Sequence, residues 1–225
     1  MAVEQNYSFV ATNSSGEVSA IYKRPQNAKW LLVFAHGAGV GINHSFMETA
    51  AIKLADHGIA TFRFNFPYME KGKKAPDPQL ILKKTIRSAI DKASEICNDL
   101  PLISGGKSLG GRMTSIAASE NSLPGVRSLV FFGFPLHAPG KESVERADHL
   151  KNVHVPMLFL QGTRDRLANL DLLKPVCQKL GNKATLYIME GGDHSFHLPK
   201  SAGKSDEEVI SELAMVVSKW MVKLK

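Results

Sequence analysis

Pro101-Leu102-Ile103-Ser104-Gly105-Gly106-Lys107-Ser108-Leu109-Gly110-Gly111-Arg112 is the stretch on which the fold turns. Pro101–Ser104 reads as a short strand, and Arg112–Ser119 reads as a helix. Between them Gly106, Ser108 and Gly110 stand at G-x-S-x-G spacing. That spacing marks a sharp strand-to-helix turn that lifts a serine hydroxyl above a sheet. Glycine is needed on either side because a Cβ there would strike the neighbouring strand or helix. Two nucleotide-binding readings fail on spacing. A phosphate loop ending at Gly106-Lys107-Ser108 needs an earlier glycine where Pro101 stands. Gly37-Ala38-Gly39-Val40-Gly41 lacks the third glycine of a dinucleotide fingerprint, whose place is taken by Ile42.

Outward from this turn the chain alternates strand and helix patterns. Leu31–Ala35, Ile59–Phe64, Leu129–Phe132, Met157–Leu160 and Thr185–Met189 are short, mainly apolar runs. Such runs suit a parallel sheet covered on both faces. Tyr7–Val10 and Val18–Tyr22, joined by Asn13-Ser14-Ser15-Gly16, suit an antiparallel edge. Leu82, Ile86, Ala89, Ile90, Ala93, Ile96 and Cys97 recur at helical spacing after Asp77-Pro78. Leu172, Leu173, Val176, Cys177 and Leu180 form another stripe, closed by Gly181. A last helix opens at the capping-box pair Ser205 and Glu208. This alternation predicts an α/β fold: a mostly parallel, doubly wound sheet with helices on both faces, as one domain over residues 1–225. Residues 133–155 leave room for a loop and a short helix, not a large cap domain. Ligands in such sheets bind at the carboxyl ends of the strands.

The 225 residues are 44% hydrophobic and 22% charged, enough apolar surface to order a core. Cys97 and Cys177 are too few for a disulfide scaffold, and both fall on apolar stripes as core thiols. The first residues lack the basic start and apolar run of a leader, and no stretch approaches the roughly 18 apolar residues of a membrane span. The expectation is a cytoplasmic protein with no membrane partner. A net charge of +7 raises nucleic acid, an acidic membrane surface and acidic small molecules as partners. Aromatics interleaved with the basic residues are sparse, which argues against nucleic acid. Lys71, Lys73, Lys74, Lys107, Arg112, Arg164 and Arg166 cluster in loops near the expected site and leave open an acidic substrate. His194 and His197 have H-x-x-H spacing, but no further ligands complete a metal site.

A serine hydroxyl needs a base to become a nucleophile, and the base needs an orienting carboxylate. Asp165 lies in Gln161-Gly162-Thr163-Arg164-Asp165, after one strand. His194 lies in Gly191-Gly192-Asp193-His194-Ser195-Phe196, after another. Asp165 could instead cap a helix or pair with Arg164 or Arg166, and His194 could be a surface histidine. Asp193 is read as shaping its turn, and His197 ranks below His194 as the base. Acyl transfer also requires donors for an oxyanion. The N–H of Leu109 is one. Ala38 is the best second donor, with Gly39 next, in the loop His36-Gly37-Ala38-Gly39; His36 is read as fixing that loop. Candidate substrate contacts are Tyr68, with packing as the alternative, and Phe134 and His137, in a stretch expected at the mouth of the site.

Together, Phe34–Gly39, Gly105–Arg112, Gln161–Asp165 and Gly191–Phe196 resemble the α/β-hydrolase superfamily. More narrowly, they resemble its dienelactone-hydrolase-related branch, which includes the testis-expressed-protein-like α/β hydrolases. Arg63–Tyr68 and Gly133–Lys141 also look like that branch, and the resemblance covers about residues 30–200. It implies an α/β-hydrolase fold, a Ser108–His194–Asp165 triad and no cofactor. Dienelactone hydrolases proper use cysteine where this chain has Ser108, so their substrate does not transfer. The resulting expectation is a serine hydrolase cleaving an ester, thioester or related acyl bond of a small substrate. The alternative is a non-catalytic binding scaffold or complex subunit on the same fold.

Overall fold

The computed structural model describes residues 2–224; Met1 and Lys225, the ends of the span read as one domain, lie outside it. Among these residues eight strands form one sheet: β1 (Val3–Thr12), β2 (Gly16–Arg24), β3 (Trp30–Ala35), β4 (Ile59–Phe64), β5 (Leu102–Lys107), β6 (Val126–Phe132), β7 (Met157–Gly162) and β8 (Ala184–Met189). Their spatial order is β1-β2-β4-β3-β5-β6-β7-β8. β1 pairs antiparallel with β2, and β2 antiparallel with β4, whereas every later pair is parallel. The buried patterns explain this division. β3, β4, β5 and β7 are buried along nearly their whole length, as strands covered on both faces must be. β2 and the end of β1 place every second residue in the core, and none of residues 3–8 of β1 is buried, as an edge pair allows.

Among the described residues six α-helices flank the sheet: α1 (Ser45–Asp56), α2 (Pro67–Glu70), α3 (Gln79–Ile96), α4 (Leu109–Glu120), α5 (Leu170–Leu180) and α6 (Asp206–Val222). On one face Leu82, Ile86, Met113 and Leu173 of α3, α4 and α5 pack on Leu31, Phe62 and Phe131. On the other, Phe46 and Leu54 of α1 meet Val209 and Leu213 of α6 over Leu32, Phe132 and Leu158. The expected boundaries hold within a few residues, and the Ser205–Glu208 capping box forms. Between β6 and β7 there is no large cap: residues 133–156 contain only the 3-10 segment Glu145–Asn152.

Two features concern the site. β3 neighbours both β4 and β5, so the chain reverses its winding direction there. The loops after β3 and β5 therefore diverge and leave a crevice at the carboxyl edge. Register also aligns the strand ends: Ala35 pairs with Gly106, Lys107 with Phe132, and Phe132 with Leu160. Residues distant in the chain are thus brought to a common level.

Candidate active site

Ser108 occupies the turn between β5 and α4 with φ 50° and ψ −115°. Left-handed backbone is costly for a residue with a Cβ, and it persists only where the surroundings enforce it. The enforcement is close packing. A Cβ on Gly110 would lie 2.5 Å from the Ala35 carbonyl oxygen, and one on Gly106 would strike the same oxygen. The Ser108 N–H donates to the Phe132 carbonyl at 3.1 Å.

The three residues expected to cooperate meet above the sheet. His194 Nε2 accepts from the Ser108 hydroxyl at 2.8 Å. His194 Nδ1 donates to Asp165 Oδ2 at 2.7 Å. The Asp165 side chain is fully buried. Its Oδ1 accepts from the Leu167 N–H at 2.8 Å, and Oδ2 also accepts from the Gln161 amide. Gln161 in turn accepts from the Phe134 N–H at 2.9 Å. Sequence reading assigned no role to Gln161; the available signal was a polar side chain inside an apolar strand, which must find partners when buried.

Asp193 shapes its turn as expected, accepting from the N–H groups of Ser195 at 2.8 Å and His197 at 2.9 Å. His197 points away, to Asp206 at 2.8 Å. His36 is buried, donates to the Gly37 carbonyl at 2.7 Å and accepts from the Phe66 N–H at 3.0 Å. Burial lowers its pKa to about 4, so the ring is neutral and fixes the loop. Gly37 lies over Ser108, where a Cβ would come 3.7 Å from the serine Cβ. Among the described residues, the N–H groups of Ala38 and Leu109 donate to no protein acceptor. Gly39 is a correction: its N–H donates to the Tyr68 hydroxyl at 3.2 Å and is not free for an oxyanion.

The three expected substrate contacts are also corrected. Tyr68 is wholly buried, and its hydroxyl ties Gly39 to the Gly37 carbonyl. Phe134 is wholly buried, edge-on to Phe131 and Phe159 at centroid distances of 5.4 and 5.7 Å. His137 is buried, donating to the Ala138 carbonyl at 3.0 Å and accepting from the Asn169 N–H at 2.9 Å. These side chains brace the loops from behind. The cavity opens on the other side of Ser108, between α1 and the start of α6. Its volume is about 670 Å³, with Val40, Phe46, Phe196 and Ile210 as apolar lining beside Lys107 and His194. None of Lys71, Lys73 and Lys74 lines it. No group of three His, Cys, Asp or Glu side chains among the described residues could hold a metal ion, and no helix is long and apolar enough to cross a membrane.

Residues 28–222 match the model of a family described as an alpha/beta hydrolase domain. Solved structures of the same fold include a dienelactone hydrolase from Anabaena variabilis ATCC 29413, at 19% identity and TM-score 0.76, covering 98% of both chains. A lid-less α/β serine hydrolase of Xanthomonas campestris matches at 17% identity and TM-score 0.74, over 96% of this chain and 94% of that one. An α/β serine hydrolase homologue from Coxiella burnetii matches at 17% identity and TM-score 0.73, over 96% of both.

Proposed function

The chain belongs to the α/β hydrolase family, and from that premise we propose that it is a serine hydrolase cleaving an ester, thioester or related acyl bond of a small substrate. The observation that carries the reading is the continuous hydrogen-bonded line from the Ser108 hydroxyl through His194 to buried Asp165. In a family member this is the arrangement acyl transfer requires.

In the proposed reaction Ser108 Oγ attacks the substrate carbonyl carbon while its proton passes to His194 Nε2. Asp165 keeps Nδ1 protonated and stabilises the imidazolium. The oxyanion takes donors from Leu109 and Ala38, whose N–H groups have no other acceptor among the described residues. As the tetrahedral intermediate collapses, the bond to the leaving group breaks and His194 protonates that group. Water then attacks the acyl-enzyme, giving its proton to His194; collapse releases the acid and returns a proton to Ser108. The apolar side of the cavity accommodates the acyl chain.

The test is turnover of short p-nitrophenyl esters together with labelling by a fluorophosphonate. Wild-type protein should do both, and Ser108→Ala should lose labelling and at least about 10³-fold in kcat. Equal turnover by the two proteins would refute the assignment, and folded wild type that resists labelling would favour a non-catalytic scaffold.

A further inference from the structure

Lys107 directly precedes Ser108, and from sequence it is one of the basic residues that cluster in loops near the expected site. Its side chain turns inward instead, leaving 8% of the residue exposed. The ammonium stands 5.7 Å from the Phe46 ring centre and 5.6 Å from that of Phe196. It donates to the main-chain carbonyl of His194 at 2.5 Å. No carboxylate of the described residues lies within ion-pair distance of it. The space is closely fitted: a Cβ on Gly133 would stand 3.1 Å from Nζ and 3.4 Å from His194 Cε1.

Taking an ammonium out of water is costly, and one backbone carbonyl offsets only part of the cost. Desolvation lowers the Lys107 pKa to about 8, against the opposing pull of Asp165 and Asp193. A methionine would fill the same slot without that cost. What lysine adds is a charge-assisted donor, and it is directed at the residue through which the proton passes. The other bonds around this loop act elsewhere. Asp193 binds Ser195 and His197 within the loop, and the Arg164 N–H ties Gly192 to the neighbouring loop at 2.8 Å. Lys107 joins His194 itself to the strand that carries the nucleophile.

We propose that Lys107 is a positioning residue for the base: by pinning the His194 carbonyl it holds the imidazole in line between Asp165 and the Ser108 hydroxyl. Its kinetic consequence rests on the acyl-transfer reading above; its structural consequence does not. Misplacing a reacting group by about 1 Å costs on the order of 100-fold in rate.

Lys107→Met preserves length and removes the donor. Its kcat on a short p-nitrophenyl ester should fall roughly 10- to 100-fold with KM held within about twofold. In proton NMR without substrate, the downfield signal of the His194 Nδ1–H bonded to Asp165 should broaden through faster exchange with water. Unchanged kcat, a rise in KM at constant kcat, or an unaltered proton signal would each overturn the proposal. Lys107→Ala serves as the second variant should the methionine form not fold. There ethylammonium should restore kcat saturably, whereas tetramethylammonium, which has the charge but no N–H, should not. Equal rescue by both ions, or by neither, counts against the proposal. Wild-type protein that turns over no ester yet shows the proton signal, lost in Lys107→Met, would sink the acyl-transfer reading and leave the positioning role standing.

Discussion

At the scale of single residues, the site depends on buried polar groups that hold other groups. His36, Gln161, Tyr68 and Lys107 are each buried, and each bonds a loop that borders Ser108, Asp165 or His194. Burial has a pH consequence at His36. Its folded pKa of about 4 lies below the unfolded value of 6.5, so the unfolded chain takes up a proton first as pH falls. The stability His36 contributes is complete above about pH 6.5 and is lost as pH falls through the window from there to about 4. Between pH 7 and 5 the loss from this residue is about 2 kcal/mol. His36→Gln has no titrating group there, so urea unfolding at the two pH values should show a smaller drop by that amount. Equal drops in both proteins would contradict the assignment. His149 shifts in the same direction, to about 4, through burial and then the Arg112 charge.

At the scale of elements, the β5–Ser108–α4 turn is a steric solution rather than a local preference. Glycine is a poor strand former, and Gly105 and Gly106 hide the far half of β5 from sequence reading, which ended the strand at Ser104. Their presence is explained by approach: a Cβ on Gly105 would strike the Val130 carbonyl of β6. Gly110→Ala would set a Cβ 2.5 Å from Ala35 O and 2.6 Å from His36 O. It should cost about 3 kcal/mol in chemical denaturation and reduce esterase turnover sharply, because α4 must move away from the loop bearing Ala38. Wild-type stability in that variant would show that the close approach is slack. The helix α1 escaped sequence reading for a different reason. Its N-cap is His44, and alanines 50, 51 and 55 make up half of its buried stripe, so neither a strong start signal nor a strong apolar period is present.

At the scale of the whole molecule, the sheet brings Ser108, Asp165 and His194 to one edge, while α1 and α6 form the walls of the cavity beside them. Acyl specificity should therefore reside on α1, α6 and the loop after β3, rather than in residues 133–137. Val40 is half-buried on the cavity rim. Val40→Trp should narrow the entrance and lower kcat/KM for octanoyl relative to acetyl esters about tenfold; an unchanged chain-length profile would place the acyl chain elsewhere. The charge of +7 also reads differently in three dimensions. Lys107 belongs to the interior, and the basic stretch at Lys71, Lys73 and Lys74 does not line the cavity. Much of this architecture was legible in the chain itself. Apolar runs marked the parallel strands, glycine spacing marked the turn at Ser108, and loop position marked Asp165 and His194, because sterics and periodicity act over a few neighbouring residues. The tertiary structure decided what those rules do not reach: that Tyr68, Phe134 and His137 are buried behind the loops and Tyr68 takes the Gly39 N–H, where the cavity opens, and that Lys107 points inward. The Lys107–His194 contact joins residues 87 positions apart. Strand order and register determine which such residues meet, and both depend on the packing of the whole sheet.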